Sequence, residues 1–219
     1  MQSFTEENYL KTIYYLANRQ QGEVSTNALA EMTATKAASV TDMLRKLADK
    51  QLIHYKKYQG VRLTEEGERL ALQVIRRHRL WEVFLVEKLG FGWEAVHEIA
   101  EELEHVRSEE LVARLDTYLG RPKFDPHGDP IPTPAGKMPE TGFRKLSDVA
   151  TGEDVCLRAV LEHSTEFLQH LDHSNLTLGC SVTVTEINAF DKSVLVQIEN
   201  DRTVFVSHEV AKNLLVDSH

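Results

Sequence analysis

The first 63 residues show apolar positions at helical spacing, then two short β-prone runs. In the first helix, apolar residues recur in steps of three or four, at Leu10, Ile13, Leu16 and Ala17. Ser3 and Glu6 have the spacing of a capping box, and Ser25 can cap a second helix. A third helix has an apolar face formed by Val40, Leu44 and Leu47. The run LIHYKKYQGVRLT turns at Gln59-Gly60, so the pattern predicts a winged helix-turn-helix.

The next segment predicts three further helices. Thr64 can cap a long helix that ends at Gly90, and two more helices are expected over residues 93–107 and 108–119. The last helix has an apolar face made of Leu111, Val112, Leu115 and Leu119. That face fits a dimer interface or the core of the chain itself, and the sequence leaves both open.

The composition changes after residue 120. All six prolines lie at positions 122, 126, 130, 132, 134 and 139. Proline lacks the amide donor and ends helices, so this segment predicts an extended linker. Beyond residue 150 the β-branched runs CSVTVTEI, SVLVQI and TVFVS accompany one helical run, STEFLQHLDHSN. They predict a small barrel that forms a separable module.

The charge is distributed unevenly along the chain, whose net charge is −9. Residues 1–63 contain nine Lys/Arg and six Asp/Glu, which gives a net charge of +3. The remaining residues contain 16 Lys/Arg and 28 Asp/Glu, which gives a net charge of −12. A basic head on an acidic body fits phosphate contact at one end and cation binding elsewhere, although chance can also produce this partition.

The N-terminus and the cysteines favour a cytoplasmic location. MQSFTEENYL has no basic start followed by an apolar run, so we expect no signal peptide. No stretch reaches the roughly 18 apolar residues that span a bilayer. Cys156 and Cys180 are isolated, which suggests buried thiols in a reducing compartment.

The third helix and the hairpin carry the residues expected to contact DNA. Small side chains at the start of the helix would let it enter the major groove, and basic side chains would contact phosphates. The candidate residues are Lys36, Ala38, Ser39, Thr41 and Lys46 in the helix, and Lys56, Lys57 and Arg62 in the hairpin. Trihelical units also serve as protein-interaction modules, and this alternative remains open.

The predicted helix over 93–107 has an apolar stripe and a polar face. The stripe contains Val96, Ile99, Leu103 and Val106, and the opposite face contains His97, Glu101, Glu104 and His105. Such a charged face is often simply solvated. However, the preceding helix adds His78 and Glu82 one turn apart, and imidazole with carboxylate is a typical donor set for Mn²⁺, Fe²⁺ or Zn²⁺.

These segments together resemble the diphtheria-toxin-repressor family of iron- and manganese-dependent regulators. The matching runs are ENYLKTIYYL, SVTDMLRKLADKQLI, YQGVRLTEEG, RRHRLWEVFL, VHEIAEELEHVRSEE and DPHGDPIP. The resemblance implies a C-terminal SH3-like domain and a primary metal site of Asn8, Glu101, Glu104 and His105. It further implies an ancillary site of His78, Glu82 and His97, with Glu162 and His163 as the nearest candidates from the C-terminal domain.

Two positions depart from the family patterns. The iron-type pattern has cysteine where this chain has Glu101, and the manganese-type pattern has first-helix carboxylates where it has Asn8 and Lys11. Asn8 offers only a neutral oxygen, and a protonated Lys11 can compete as an internal cation. The oxygen-rich set still predicts Mn²⁺ as the preferred activator, with Fe²⁺ possible, and predicts that Glu104→Ala abolishes metal-dependent DNA binding.

The overall prediction is a mainly α protein with a small β domain, acting as a metal-dependent repressor of metal homeostasis genes. Its parts would be a winged helix (1–63), a helical dimerisation and metal-binding domain (64–120), a proline-rich linker (121–149) and an SH3-like barrel (150–219). We expect a homodimer on an operator in double-stranded DNA, with no membrane, small-molecule substrate or enzymatic activity. The alternatives are a winged-helix regulator whose His/Glu face is structural and a metalloenzyme; no nucleophile or phosphate-loop motif supports the latter.

Overall fold

The computed structural model describes residues 3–20, 22–56, 60–198 and 202–218. The helices are α1 (Phe4–Gln20), α2 (Thr26–Met32), α3 (Ala37–Asp49), α4 (Glu65–Leu89), α5 (His97–Leu103), α6 (Glu109–Tyr118), α7 (Thr165–Ser174) and α8 (His208–Ala211). The strands are β1 (Ile53–Lys56), β2 (Gly60–Leu63), β3 (Arg144–Lys145), β4 (Asp154–Val160), β5 (Ser181–Ile187), β6 (Val194–Ile198), β7 (Arg202–Val206) and β8 (Leu214–Ser218).

The chain divides into two compact units that differ from the predicted domains. The first unit comprises Met1–His78, Glu101–Val112 and Ile131–Pro139, and the second comprises Arg79–Ala100, Ala113–Pro130 and Glu140–His219. None of the described helices is long and apolar enough to cross a membrane. Each unit has its own apolar core.

The first unit contains the predicted trihelical arrangement. The capping box is present, since the Ser3 amide donates to Glu6 Oε2 at 2.7 Å and the Glu6 amide donates to Ser3 Oγ at 3.3 Å. Ser25 Oγ accepts from the amide of Ala28 and caps α2. The predicted apolar faces of α1 and α3 are buried at Leu10, Ile13, Leu16, Val40, Leu44 and Leu47. These helices therefore form where local spacing and capping predict them.

The hairpin after α3 is antiparallel, with Ile53 opposite Leu63 and Lys56 opposite Gly60. The predicted turn residue Gln59 and the predicted DNA contact Lys57 lie outside the described residues. Gly60 has a φ of +89°, and a Cβ there would lie 2.9 Å from the Glu23 Cβ. The position therefore requires glycine, both for its backbone conformation and for the close approach of the neighbouring chain.

The predicted helix over 93–107 is wrong in its extent. A 3₁₀ turn occupies Trp93–Ala95, α5 ends at Leu103, and Glu104 and His105 follow it in a turn. The Arg77 guanidinium donates to the carbonyl of Glu104, while the amide of Val106 bonds back to Leu103. The helix therefore ends in a turn in which Glu104 is buried and Val106 is exposed.

The proline-rich segment is not simply an extended linker. Residues 131–139 belong to the first unit, where Arg76 donates to the carbonyl of Pro132 at 2.7 Å and Met138 packs against the core. A proline lacks an amide donor but keeps its carbonyl acceptor, so the segment can be held through its oxygens. Ile131 is buried as well, which a solvated linker would not require.

The second unit contains a six-stranded antiparallel sheet in the order β3-β8-β4-β5-β6-β7. The sheet begins before the predicted boundary at residue 150, because Arg144 and Lys145 already pair with β8. Leu146 and Val149 are buried in its core together with Leu168 and Leu171 of α7. Leu115 of α6 and Leu119 in the turn after it are buried too, whereas Leu111 is exposed.

Residues 124–130 form a tight loop within the second unit. Asp125 Oδ1 accepts hydrogen bonds from the amides of His127, at 2.8 Å, and Asp129, at 3.0 Å. The amide of Val160 in β4 donates to the carbonyl of His127 at 3.0 Å. Gly128 lies so close to β4 that a Cβ would be 2.0 Å from the Arg158 carbonyl oxygen. This loop fixes the backbone that carries Asp125 and His127.

Candidate metal centres and DNA interface

The first histidine–carboxylate group, the Lys11 cluster, comprises Lys11, His78, Glu101 and Glu104 in the first unit. The Glu104 side chain is fully buried, and its two oxygens accept hydrogen bonds from Lys11 Nζ at 2.7 and 2.8 Å. His78 Nδ1 lies 2.8 Å from Glu104 Oε2, and Glu101 Oε1 lies 3.5 Å from Lys11 Nζ. Burial raises the pKa of Glu104, but the His78 hydrogen bond and the Lys11 charge outweigh it and lower the pKa.

The other predicted primary ligands have different neighbours. His105 Nδ1 lies 2.7 Å from Glu7 Oε2, and the ring of Phe4 stacks on His105 with centroids 4.5 Å apart. Glu7 also pairs with Arg77 at 3.3 Å and with Arg107 at 3.2 Å. Asn8 is exposed. Glu7 is therefore the α1 carboxylate beside the predicted histidine, and it was missed because the resemblance assigned the ligand role to its neighbour Asn8.

The residues of the Lys11 cluster do not fit a divalent cation as they stand. An ion between Glu101 and Glu104 would take the place of the Lys11 ammonium and meet its charge at close range. The nearby nitrogen donors His78 and His105 already contact the carboxylates of Glu104 and Glu7. The predicted set of Asn8, Glu101, Glu104 and His105 thus remains a prediction, and the contacts around Lys11 do not favour it.

The second group, the His127 cluster, comprises Glu82, Asp125 and His127 in the second unit. All three are buried, and they offer ligand atoms within 4.8 Å of one another. His127 Nδ1 lies 3.7 Å from Glu82 Oε2 and 4.0 Å from Asp125 Oδ1. Within the described residues this buried nitrogen has no hydrogen-bond partner. A cation between this nitrogen and the two carboxylates would explain a buried polar atom without a hydrogen bond.

The other ring nitrogen of His127 determines the tautomer. His127 Nε2 lies 2.9 Å from the carbonyl oxygen of Trp93, which can only accept, so Nε2–H donates. In the neutral ring the lone pair of Nδ1 then points toward the carboxylates. A ring N–H bound to a backbone carbonyl is the usual support of a metal-ligating histidine. The cluster therefore fits a cation, with one nitrogen and two carboxylate oxygens as donors.

The electrostatics of the His127 cluster agree with this fit. Burial, with the charges of Asp129 and Glu82, raises the pKa of Asp125 to about 7, although Arg79 lowers it. Burial lowers the pKa of His127, but Glu82 and Asp125 raise it overall. The buried carboxylate of Asp125 is therefore incompletely compensated by its neighbours, and a bound cation would supply positive charge there.

Three of the predicted ancillary residues, Glu82, His97 and His163, belong to the His127 cluster or contact one of its members. His97 Nδ1 lies 3.4 Å from Glu82 Oε1, and the ring of His163 stacks on that of His127 at 4.6 Å. His163 Nε2 faces the carbonyl of Val160 at 3.3 Å. Glu162 is exposed and accepts from the amide of Ser164. The sequence reasoning missed Asp125 and His127, although DPHGDPIP shows an Asp-x-His spacing in a turn-forming segment.

The predicted DNA-binding residues differ in what they contact. Lys36, Ala38 and Ser39 are exposed at the start of α3, and Lys56 is exposed on β1. Thr41 donates to the carbonyl of Ala37. Lys46 pairs with Glu6 at 3.1 Å, and Arg62 pairs with Glu23 at the same distance. The N-terminal end of α3 is thus available for a groove, while two of the cations also have protein partners.

Three family models match successive parts of the chain. They are the iron dependent repressor N-terminal DNA binding domain over residues 1–61, the iron dependent repressor metal binding and dimerisation domain over 64–133, and the FeoA domain over 144–218. The metal binding and dimerisation model therefore extends into the proline-rich segment and includes Asp125 and His127.

Relatives align along most of the chain. The iron-dependent repressor IdeR of Mycobacterium tuberculosis (strain ATCC 25618 / H37Rv) is 30% identical over 226 residues, covering 97% of this chain and 96% of IdeR. The diphtheria toxin repressor of Corynebacterium glutamicum is 31% identical over 192 residues, covering 82% and 83%. A structure of a manganese-dependent transcriptional repressor in complex with manganese has a TM-score of 0.88 and 35% identity, covering 98% of this chain and 100% of that one.

A winged helix-turn-helix joined to buried histidine–carboxylate clusters defines a metal-regulated DNA-binding protein. The chain belongs to the iron-dependent repressor family of metal-dependent transcriptional repressors, which includes IdeR and the diphtheria toxin repressor. The resemblance seen in the sequence is thereby confirmed, as is the fold class with its C-terminal antiparallel domain.

Proposed function

We propose that this repressor binds operator DNA as a homodimer when a divalent cation occupies the His127 cluster, with Mn²⁺ preferred and Fe²⁺ also active. One observation carries this assignment: the buried Nδ1 of His127 faces Glu82 and Asp125 without a hydrogen-bond partner among the described residues. A set of two carboxylates and one imidazole, without thiolate, suits Mn²⁺ and Fe²⁺ better than softer ions.

The surrounding residues support and complete this donor set. Trp93 holds the tautomer through its carbonyl, and Arg79 binds the second oxygen of Asp125 at 3.4 Å and Asp129 at 2.8 Å. His97 is half exposed, and its Nδ1 lies 3.4 Å from Oε1 of Glu82, the oxygen of that carboxylate that does not face His127. When bound, the cation would supply positive charge beside the buried carboxylate of Asp125. Selectivity would come from geometry, because raw affinity favours Zn²⁺ over Mn²⁺.

The DNA-binding part of the proposal rests on exposure and charge. The exposed start of α3, from Lys36 to Ser39, would enter the major groove, and Lys56 would contact phosphate from the hairpin. A two-fold dimer would match a pseudo-palindromic operator. Metal would favour the DNA-competent arrangement, and DNA would in turn tighten metal binding. Because its partner is chromosomal DNA, we place the protein in the cytoplasm.

The central test compares DNA binding with Mn²⁺, Fe²⁺, Zn²⁺ or a chelator, using duplexes selected from a random pool. We expect tight binding by the full chain only with Mn²⁺ or Fe²⁺. His127→Gln should weaken Mn²⁺ binding by about 100-fold or more and remove the metal response. His170→Gln, at an exposed histidine of α7, is the matched control and should behave like wild type.

Two outcomes would overturn the proposal. Metal-independent DNA binding would favour a regulator whose His/Glu clusters are structural. Unchanged Mn²⁺ affinity in His127→Gln would remove the cation from the His127 cluster.

A separate measurement tests the DNA interface. Lys56→Ala should weaken binding to all duplexes alike and lower the slope of log affinity against log salt by about one. Ser39→Ala should instead change the preferred duplex. Lys192→Ala, at an exposed lysine after β5, should change neither. An unchanged salt slope in Lys56→Ala would remove the hairpin from the interface.

A further inference from the structure

We propose that Lys11 is a built-in cation, whose ammonium permanently takes the place of a metal ion between Glu101 and Glu104. The inference concerns a different cluster from the proposed function and does not depend on it. It follows from a disagreement between the ligand set that the family resemblance implies and the contacts of the residues that are present.

The ammonium of Lys11 fills the position that a shared ligand to both carboxylates would occupy. It donates hydrogen bonds to Glu104 Oε1 at 2.7 Å and Glu104 Oε2 at 2.8 Å, and it forms an ion pair with Glu101 Oε1 at 3.5 Å. Lys11 is only 8% exposed and the Glu104 side chain is not exposed at all. This is the arrangement in which a buried charge pair is well hydrogen-bonded on both sides.

Among the described residues, the other groups that face the cluster already have partners. His78 approaches Glu104 on its second oxygen, and the Arg77 guanidinium binds the Glu104 carbonyl. His105 Nδ1 contacts Glu7, which Arg77 and Arg107 also contact. An incoming divalent cation would have to expel a buried ammonium and enter beside two guanidinium groups. Repulsion between the divalent cation and these positively charged side chains opposes that exchange.

The built-in cation has a structural consequence within the first unit. Lys11 joins α1 to the segment after α5, which is the connection that a bridging metal ion would otherwise make. At its start, α1 is joined through Glu6 to Lys46 of α3 and to Lys50. Charge pairs therefore connect α3, α1 and the Glu101–Glu104 segment when metal is scarce. Metal would regulate the protein only from another cluster.

The test counts bound Mn²⁺ per chain in the full-length protein, by elemental analysis after equilibrium dialysis. Glu104→Gln should bind as many ions as wild type with unchanged affinity, because Glu104 is not a ligand. Lys11→Gln should gain one ion per chain, and Lys11→Gln combined with Glu104→Gln should lose that gain. The proposal is overturned if Glu104→Gln binds one ion fewer than wild type, or if a folded Lys11→Gln gains none.

A second measurement uses the wild-type chain and so avoids any folding defect of the variants. Acetic anhydride should modify the exposed Lys36 readily and leave Lys11 unmodified, with and without saturating Mn²⁺, as read by peptide mass spectrometry. Labelling of Lys11 that rises with Mn²⁺ would mean that metal displaces the ammonium and would overturn the proposal. Failure of the proposed function would appear differently, as wild type that binds no Mn²⁺ while Lys11→Gln binds one ion.

Discussion

The Lys11 cluster and the His127 cluster combine the same kinds of side chain but differ in where their positive charge comes from. In the first, the Lys11 ammonium bonds both oxygens of Glu104, and a histidine bonds one of them. In the second, two carboxylates lie near a histidine nitrogen that makes no hydrogen bond among the described residues, and the pKa of Asp125 is raised to about 7.

The difference teaches that histidine and carboxylate residues do not by themselves define a metal site. A buried carboxylate needs a counter-charge. A basic side chain of the same protein can supply it, or a bound metal ion can. Where a lysine side chain is the counter-charge, the ion pair forms whether or not metal is present. A missing counter-charge couples the local structure to metal concentration, because binding free energy then becomes folding free energy.

The largest effect on stability should come from removing the Lys11 ammonium. Lys11→Met leaves the buried Glu104 without its main partner, and we expect a loss of about 3–5 kcal/mol in the free energy of unfolding. Chemical denaturation in the presence of a chelator measures it, with Lys36→Met as the exposed control. If the Lys11→Met protein were as stable as wild type, the Lys11 ammonium would not stabilise the fold as the counter-charge of Glu104.

The opposite sign is expected in the His127 cluster. Asp125→Asn removes a carboxylate crowded by Glu82 and Asp129, so the metal-free chain should keep or gain stability. The same change should weaken Mn²⁺ binding by about 100-fold. Calorimetric titration and chelator-treated unfolding provide the two readouts, and Asp49→Asn is an exposed control. Destabilisation without a change in affinity would make Asp125 a structural residue.

Glu6, which also has lysine partners, allows the stability provided by such an ion pair to be measured as a function of pH. Burial raises the pKa of Glu6, but hydrogen bonds from Lys50, Ser3 and Lys46 outweigh it and lower the pKa to about 2. Its contribution is therefore present above the unfolded pKa near 4.5 and is lost as pH falls toward 2. Glu6→Gln should cost about 1–2 kcal/mol at pH 6, discounted for the exposed lysines, and less at pH 3.5. A cost that is independent of pH would contradict this assignment.

The smallest effect should come from a change outside both clusters. Ser25→Ala removes the side-chain acceptor that caps α2 and should cost about 1 kcal/mol of stability. Metal binding should be unaffected, because the loss is local to the helix N-terminus. Thermal unfolding and Mn²⁺ titration check both statements. If Ser25→Ala also weakened Mn²⁺ binding, the other variants would have to be corrected for general destabilisation.

Local features of the fold were predictable because their causes are local. The Ser3–Glu6 box and the Ser25 cap involve residues three positions apart, and the buried faces of α1 and α3 follow from helical spacing. The end of α5 was not predictable in this way. It depends on Arg77, 27 positions away from the carbonyl it captures. The proline segment was likewise misread, since its carbonyls find donors elsewhere in the chain.

The sequence by itself determined the winged helix, the order of the domains and the supply of donor residues, because spacing, capping and composition act over a few residues. Only the tertiary structure decided which donors meet. It placed Lys11 on Glu104, 93 positions away, and His105 on Glu7, 98 positions away. It also brought Asp125 and His127 to Glu82. Helical spacing fixes the direction of a side chain on its own helix, whereas its partner depends on the path of the whole chain.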